Sequence, residues 1–113
     1  MKEEINSEFL RSVPREKAFY FFTSIGNYTG ENAASLKEFM EKVNTVSMKS
    51  LEFHLSRGDF EKWVNDVLED KKLAVDIERL QRSNLIGDSL RSQLFSAIAR
   101  RYKELVAPPG SRK

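Results

Sequence analysis

The sequence contains no cysteine, one histidine and one tryptophan, and only three prolines and five glycines in 113 residues. Without cysteine it forms no disulfide, which is typical of a reducing, cytoplasmic compartment. A structural zinc site is disfavoured, because one histidine and no cysteine cannot supply the usual ligands. No apolar run approaches the roughly 18 residues that cross a bilayer, and the N-terminus is charged, so we expect neither a membrane contact nor a signal peptide.

Hydrophobic residues nevertheless make up 40% of the chain, with eight phenylalanines and three tyrosines, which is enough to form the core of one domain. Two prolines at 108 and 109 stop the last predicted helix. We therefore predict an N-terminal arm over residues 1–13, a single helical domain over 14–107 and a basic flexible tail over 108–113.

The charges are unevenly distributed. Residues 1–78 carry eleven basic and fifteen acidic side chains, a net charge of −4, whereas residues 79–113 carry eight basic and two acidic ones, a net charge of +6. A solvated helix surface with a basic tail is one interpretation. The other is a surface that meets RNA, a ribonucleoprotein or an acidic protein.

Apolar residues recur at helical spacing through most of the chain. Residues 36–43 carry such a stripe, and residues 60–68 carry the cleanest one. Ser47, Asp59, Asp70 and Asp88 are candidate N-caps, and Gly58 can end a helix in the left-handed conformation. The pattern predicts an all-α, compact bundle of five or six short helices.

Residues 15–24 are ambiguous, because their four consecutive aromatics erase any periodicity. They can form either a helix that starts after Pro14 or a buried strand. We favour the helix, since no other segment offers a strand to pair with. The glycine-containing stretch 26–32 predicts a turn, with Thr29 or Asn32 capping the next helix.

The stretch "FHLSRGDFEKW" (53–63) holds the only histidine and the only tryptophan. We interpret it as a helix corner in which Gly58 and Asp59 separate two helices, Phe60 and Trp63 enter the core and His54 braces the junction. Catalysis by His54 with Asp59 matches no recognised spacing, and adhesion through the Arg-Gly-Asp triplet would require an extracellular protein. A DNA-reading helix is also disfavoured, because the outer face after Asp59 is mainly acidic. Phe53 points away from the apolar face of its helix and is left for a partner or for another part of the fold.

The last helix has an unusually wide apolar arc that includes Arg91 and Arg101. Such a helix is either central to the bundle or half of a dimer contact, and we expect a homodimer.

Several patterns together resemble a small archaeal and bacterial family of unknown function, over roughly residues 18–105. They are an aromatic pair, a Thr-Gly turn, a Ser-Leu-x-x-Phe helix and a His-x-x-x-x-Asp-Phe-x-x-Trp core. The residues concerned are Phe19, Phe21, Thr29, Gly30, Ser35, Leu36, Phe39, His54, Asp59, Phe60 and Trp63. The resemblance implies a single helical domain and brings no activity, cofactor or catalytic residue with it.

We predict a non-enzymatic regulatory protein, without cofactor or metal, that docks on a ribonucleoprotein such as the ribosome through its basic C-terminal third. The predicted binding residues are Phe53, Arg91, Arg100, Arg101, Tyr102, Lys103, Arg112 and Lys113. The alternative is a protein–protein adaptor that contacts no nucleic acid and uses Phe53, Tyr20 or Tyr28 as an anchor.

Overall fold

Five α-helices follow a two-stranded hairpin in the structure, a computed structural model that describes residues 9–106. A 3-10 turn at Arg15–Lys17 leads into the hairpin. The elements are β1 (Phe19–Phe22), β2 (Tyr28–Ala33), α1 (Leu36–Val43), α2 (Met48–Arg57), α3 (Asp59–Asp66), α4 (Lys71–Arg82) and α5 (Gly87–Val106).

The hairpin shows that the all-α prediction is wrong. β1 pairs antiparallel with β2, with Phe19 opposite Ala33 and Phe22 opposite Tyr28, and the register shifts between Tyr20 and Phe22. Phe19 and Phe21 point into the core, whereas Tyr20 and Phe22 are only half buried. This alternation is the period of two expected of a strand with one buried face. Residues 15–24 therefore do not form the helix that we favoured.

β2 escaped prediction because it is polar and mostly exposed. The turn predicted at 26–32 ends at Asn27, whose N–H donates to the Ser24 carbonyl. From Tyr28 onward the chain is extended and belongs to β2. Neither Thr29 nor Asn32 caps α1. Ser35 does, accepting from the Glu38 N–H through its hydroxyl.

The helical boundaries largely follow the predicted signals. Ser47 caps α2 and Asp70 caps α4 through their side chains. Gly58 ends α2 with a φ of 78°, in the left-handed region that glycine adopts without strain. The caps predicted at Asp59 and Asp88 are wrong: Asp59 is the first residue of α3 and makes no capping bond, and Asp88 lies in the first turn of α5.

The core has an aromatic part under the hairpin and an aliphatic part among the later helices. Phe19 lies 5.2 Å from Phe60 between ring centroids, and Phe39 lies 5.4 Å from Trp63. α5 packs against α1, α2 and α4, which places it centrally in the bundle. The buried leucine and isoleucine residues of α4 and α5 are Leu73, Ile77, Leu90, Leu94, Ile98 and Leu105.

The predicted domain limits stay predictions. Val13, the last residue of the predicted arm, is buried, and its N–H donates to the Ala34 carbonyl at 2.7 Å. The predicted tail 108–113 lies outside the described residues, together with Arg112 and Lys113.

Candidate functional site

A groove of about 480 Å³ lies between the hairpin and the corner formed by α2 and α3. We call it the hairpin groove. β1 contributes Phe19 and Phe22, the β1–β2 turn contributes Ile25, α2 contributes Phe53 and α3 contributes Trp63. These side chains make its lining mainly apolar, and Ile25 at its edge is 83% exposed.

His54 lies in the wall of the groove with both ring nitrogens engaged. Its Nε2 accepts a hydrogen bond from the Phe22 N–H at 2.8 Å, and its Nδ1 lies 2.8 Å from Asp59 Oδ2. A backbone N–H can only donate, so Nε2 carries no proton and Nδ1–H donates to the carboxylate. This arrangement fixes one neutral tautomer of His54.

The environment of His54 favours that neutral form. The residue is 4% exposed and surrounded by aromatic rings, of which Phe19 is the nearest at 4.8 Å between centroids. Burial lowers the pKa of His54 below its ordinary value, although the Asp59 carboxylate acts in the opposite direction. His54 thus connects β1 to the corner between the two helices.

Asp59 also holds Arg57. The Arg57 Nε donates to Asp59 Oδ2 at 3.0 Å, and the guanidinium carbon lies 5.1 Å from the centre of the Phe53 ring. This geometry is that of a cation–π contact. The Arg-Gly-Asp triplet is therefore folded on itself at the helix corner, with the Arg57 side chain still 50% exposed.

Trp63 makes a second link between the hairpin and the helices. Its indole Nε1–H donates to the Lys17 carbonyl at 2.7 Å, while the ring is almost fully buried against the core. His54 thus occupies a backbone N–H at the end of β1, and Trp63 occupies a carbonyl in the 3-10 turn that precedes β1.

The structure brings the predicted corner residues together at one site. His54, Asp59 and Trp63 line the hairpin groove, Gly58 joins the two helices, and Phe60 is fully buried beneath them. Phe53, whose role the sequence left open, is half buried and forms a wall of the groove.

The predicted basic surface is only partly available. Arg91 donates to the Val43 carbonyl, and Arg101 forms an ion pair with the buried Asp70 at 2.8 Å. The half-buried Tyr102 packs against the core. Arg100 and Lys103 are exposed, and neither forms an ion pair with another residue of the 9–106 range.

Sequence reasoning missed Ile25 and with it the groove. The available signal was an isoleucine inside the polar turn "TSIGN", a position where a polar residue is usual. Without a hairpin to place that turn beside α2, the residue had no evident neighbour.

Two other kinds of site are absent from the described part of the chain. Within residues 9–106, no three histidine, aspartate or glutamate side chains are grouped so that they could hold a metal ion. None of the helices in that range has the length and hydropathy required to cross a membrane.

The fold and the site define a small, mainly helical α/β domain with an apolar groove beside its only hairpin in the described region. The family model described as a family of unknown function (DUF5752) matches residues 1–99, and the chain belongs to that family. This confirms the resemblance noted in the sequence, with a match that also includes residues before 18. No curated protein and no solved structure matches the chain.

Proposed function

We propose that the protein is a non-enzymatic, cytoplasmic interaction module that binds a segment of a partner protein in the hairpin groove. The observation that supports this most is an apolar groove of about 480 Å³ bordered by the exposed Ile25. Volumes of this size are usual for binding sites. An apolar anchor residue of a partner would cover Ile25 and enter between Phe53 and Trp63.

The chemistry of the groove supports binding rather than catalysis. His54 is the group on which a proton transfer would most readily depend. Both of its ring nitrogens are already bonded, one of them to a backbone N–H, and the ring is buried. These contacts give His54 a structural task, and they keep the groove wall rigid before a partner arrives.

Two exposed isoleucines allow a matched test of this proposal. Ile25 borders the groove, whereas Ile86 is 73% exposed in the loop before α5, away from the groove. A partner is first recovered with a photo-crosslinking residue at position 24, and its binding to the purified protein is then measured by calorimetry. We expect Ile25→Ser to weaken binding at least about tenfold, because burying one such side chain contributes roughly 1.5–3 kcal/mol, and Ile86→Ser to leave it unchanged. Equal effects of both substitutions would contradict the groove as the binding site.

The predicted docking on a ribonucleoprotein such as the ribosome stays a second proposal. What supports it is the exposure of Arg100 and Lys103 on α5. What weakens it is that Arg91 and Arg101 already bond within the chain, which leaves fewer cations for phosphates.

Salt dependence distinguishes this second proposal from the first. Co-sedimentation with ribosomal particles should fall steeply as salt is raised, because each neutralised phosphate releases counterions. Arg100→Gln with Lys103→Gln should reduce that slope, whereas Ile25→Ser should not affect it. If the protein does not co-sediment with ribosomal particles, or does so regardless of salt, the proposal of ribonucleoprotein docking is wrong. The predicted homodimer also stays a prediction, which the particle mass measured by light scattering would test.

A further inference from the structure

We propose that Arg57 determines the specificity of the hairpin groove by binding the carboxylate of an acidic side chain in the partner segment, next to the apolar residue that enters the groove. This inference rests on the proposed function, since it names the chemistry of the segment that the same groove would take. The partner is therefore a protein segment in which an aspartate or glutamate adjoins an aromatic or branched aliphatic residue.

The guanidinium of Arg57 is fixed in place with part of its donors unused. Its Nε–H is directed at Asp59 Oδ2, and its guanidinium carbon lies over the ring of Phe53, 5.1 Å from the ring centre. Neither terminal nitrogen donates a hydrogen bond to a residue within the described 9–106 range. A guanidinium held in this manner loses little conformational freedom when it binds, and its terminal N–H groups match the two oxygens of a carboxylate.

A series of hydrogen bonds connects Arg57 to the backbone of β1. Asp59 is held by His54, and His54 is held by the N–H of Phe22. Each member of this series lies in the wall of the groove. The position of the guanidinium is therefore set relative to the hairpin, which is the opposite wall, and not only relative to its own helix.

The local charges favour a carboxylate over a doubly charged phosphate. Lys62 lies on the same wall as Arg57, but Asp59 and Asp66 also line the groove, so that the formal charges balance. A balanced field gives no strong long-range attraction to a dianion. It leaves short-range, directional hydrogen bonding by the guanidinium as the main source of selectivity.

Matched short peptides test the inference directly. The probes are acetyl-Phe-Glu-amide and acetyl-Glu-Phe-amide, each compared with the peptide in which glutamine replaces glutamate. Binding is followed by the amide chemical shifts of Ile25 and Phe53 in a ¹⁵N-labelled full chain. We expect at least one glutamate peptide to bind about three- to tenfold more tightly than its glutamine counterpart, the range of a well-oriented ion pair at a partly exposed site.

Variants of Arg57 show whether that preference depends on the guanidinium. In Arg57→Gln the glutamate and glutamine peptides should bind equally, at the wild-type affinity of the glutamine peptide. Arg57→Lys, which keeps the charge and loses the planar fork, should keep only part of the preference. Arg100→Gln removes an exposed arginine from α5, outside the groove, and should retain the full preference. Thermal unfolding of each variant checks that the fold is intact.

The outcomes separate the two proposals. Equal binding of glutamate and glutamine peptides by the wild type, or a preference that survives Arg57→Gln, overturns the role of Arg57 and leaves the apolar groove standing. A phosphoserine peptide that binds more tightly than the glutamate peptide overturns the choice of carboxylate. If no peptide shifts the groove amides at millimolar concentration, the groove and the inference built on it are both wrong.

Discussion

Acidification should destabilise the protein through His54. In the folded chain Nε2 accepts from the Phe22 N–H, so a proton on Nε2 would remove that bond and place two donors face to face. In the unfolded chain the imidazole takes up a proton freely. Burial lowers the pKa of His54 in the folded state, so the unfolded state binds more protons as the pH is lowered through about 6.5. The free energy of unfolding therefore decreases as the pH is lowered.

The size of the effect follows from linkage. A histidine with an ordinary pKa of about 6.5 when unfolded and a lower pKa when folded loses at most about 1.4 kcal/mol of stability between pH 7.5 and pH 5.5, whatever the size of the shift. The loss is complete once the pH has fallen below the folded pKa. Above pH 7.5 this group should contribute no pH dependence.

Urea unfolding at pH 7.5, 6.5 and 5.5 measures this loss, and Trp63 is a suitable reporter because it is buried and bonded to the Lys17 carbonyl. The control is His54→Gln, which can still accept from the Phe22 N–H but does not titrate. Glu61 has a raised pKa because of burial and the neighbouring Glu78, and it opposes the trend at low pH. Since Glu61 is present in both proteins, it cancels in the difference between them.

The wild type should lose more stability than His54→Gln between pH 7.5 and 5.5, by up to the stated amount. Parallel pH profiles for the two proteins would refute the reasoning, because they would show that His54 takes up its proton equally well in the folded and unfolded states. A profile in which the wild type gains stability on acidification relative to the variant would show that the Asp59 carboxylate outweighs burial.

Three further substitutions should change the free energy of unfolding in chemical denaturation. Gly58→Ala should cost about 1–2 kcal/mol, because a side chain is strained at a φ of 78°, while Gly58→Asn should cost less. Asp70→Ala should cost about 2–4 kcal/mol, because it removes the cap of α4 and leaves Arg101 without its buried partner. Glu61→Gln should stabilise the protein at pH 7 by less than about 1 kcal/mol, because it removes a carboxylate that burial and Glu78 disfavour near the surface.

Each of these expectations has a contrary result. Equal losses for Gly58→Ala and Gly58→Asn would argue against the left-handed conformation as the cause. If Arg101→Leu combined with Asp70→Ala is no more stable than Asp70→Ala alone, the loss of the buried Asp70 partner of Arg101 is not the source of the cost. A destabilising Glu61→Gln would mean that the carboxylate has a favourable contact at that position.

The helical part of the fold could be predicted because its signals are local. Ser47 and Asp70 cap helices where the sequence placed them, Gly58 ends one, and the stripe from Phe60 to Trp63 is buried. Caps and periodicity depend on residues a few positions apart, which a single sequence displays directly.

The hairpin could not be predicted in the same way. Phe19 and Phe21 owe their inward orientation to pairing with β2, and β2 is a polar segment whose extended form comes from that pairing rather than from its own composition. For the same reason the candidate site could be predicted only in part. The corner residues His54 and Asp59 were singled out from the sequence, but the groove needs the hairpin as its second wall, so Ile25 was not.

A two-stranded hairpin is only marginally stable in water without a surface to pack on. Here the helices supply that surface, and His54 and Trp63 supply two directed bonds to it. The groove can therefore exist only after α2 and α3 have formed and the hairpin has docked on them. A chain whose hairpin has not docked on α2 and α3 would lack the groove, so that the proposed binding would require a completely folded chain.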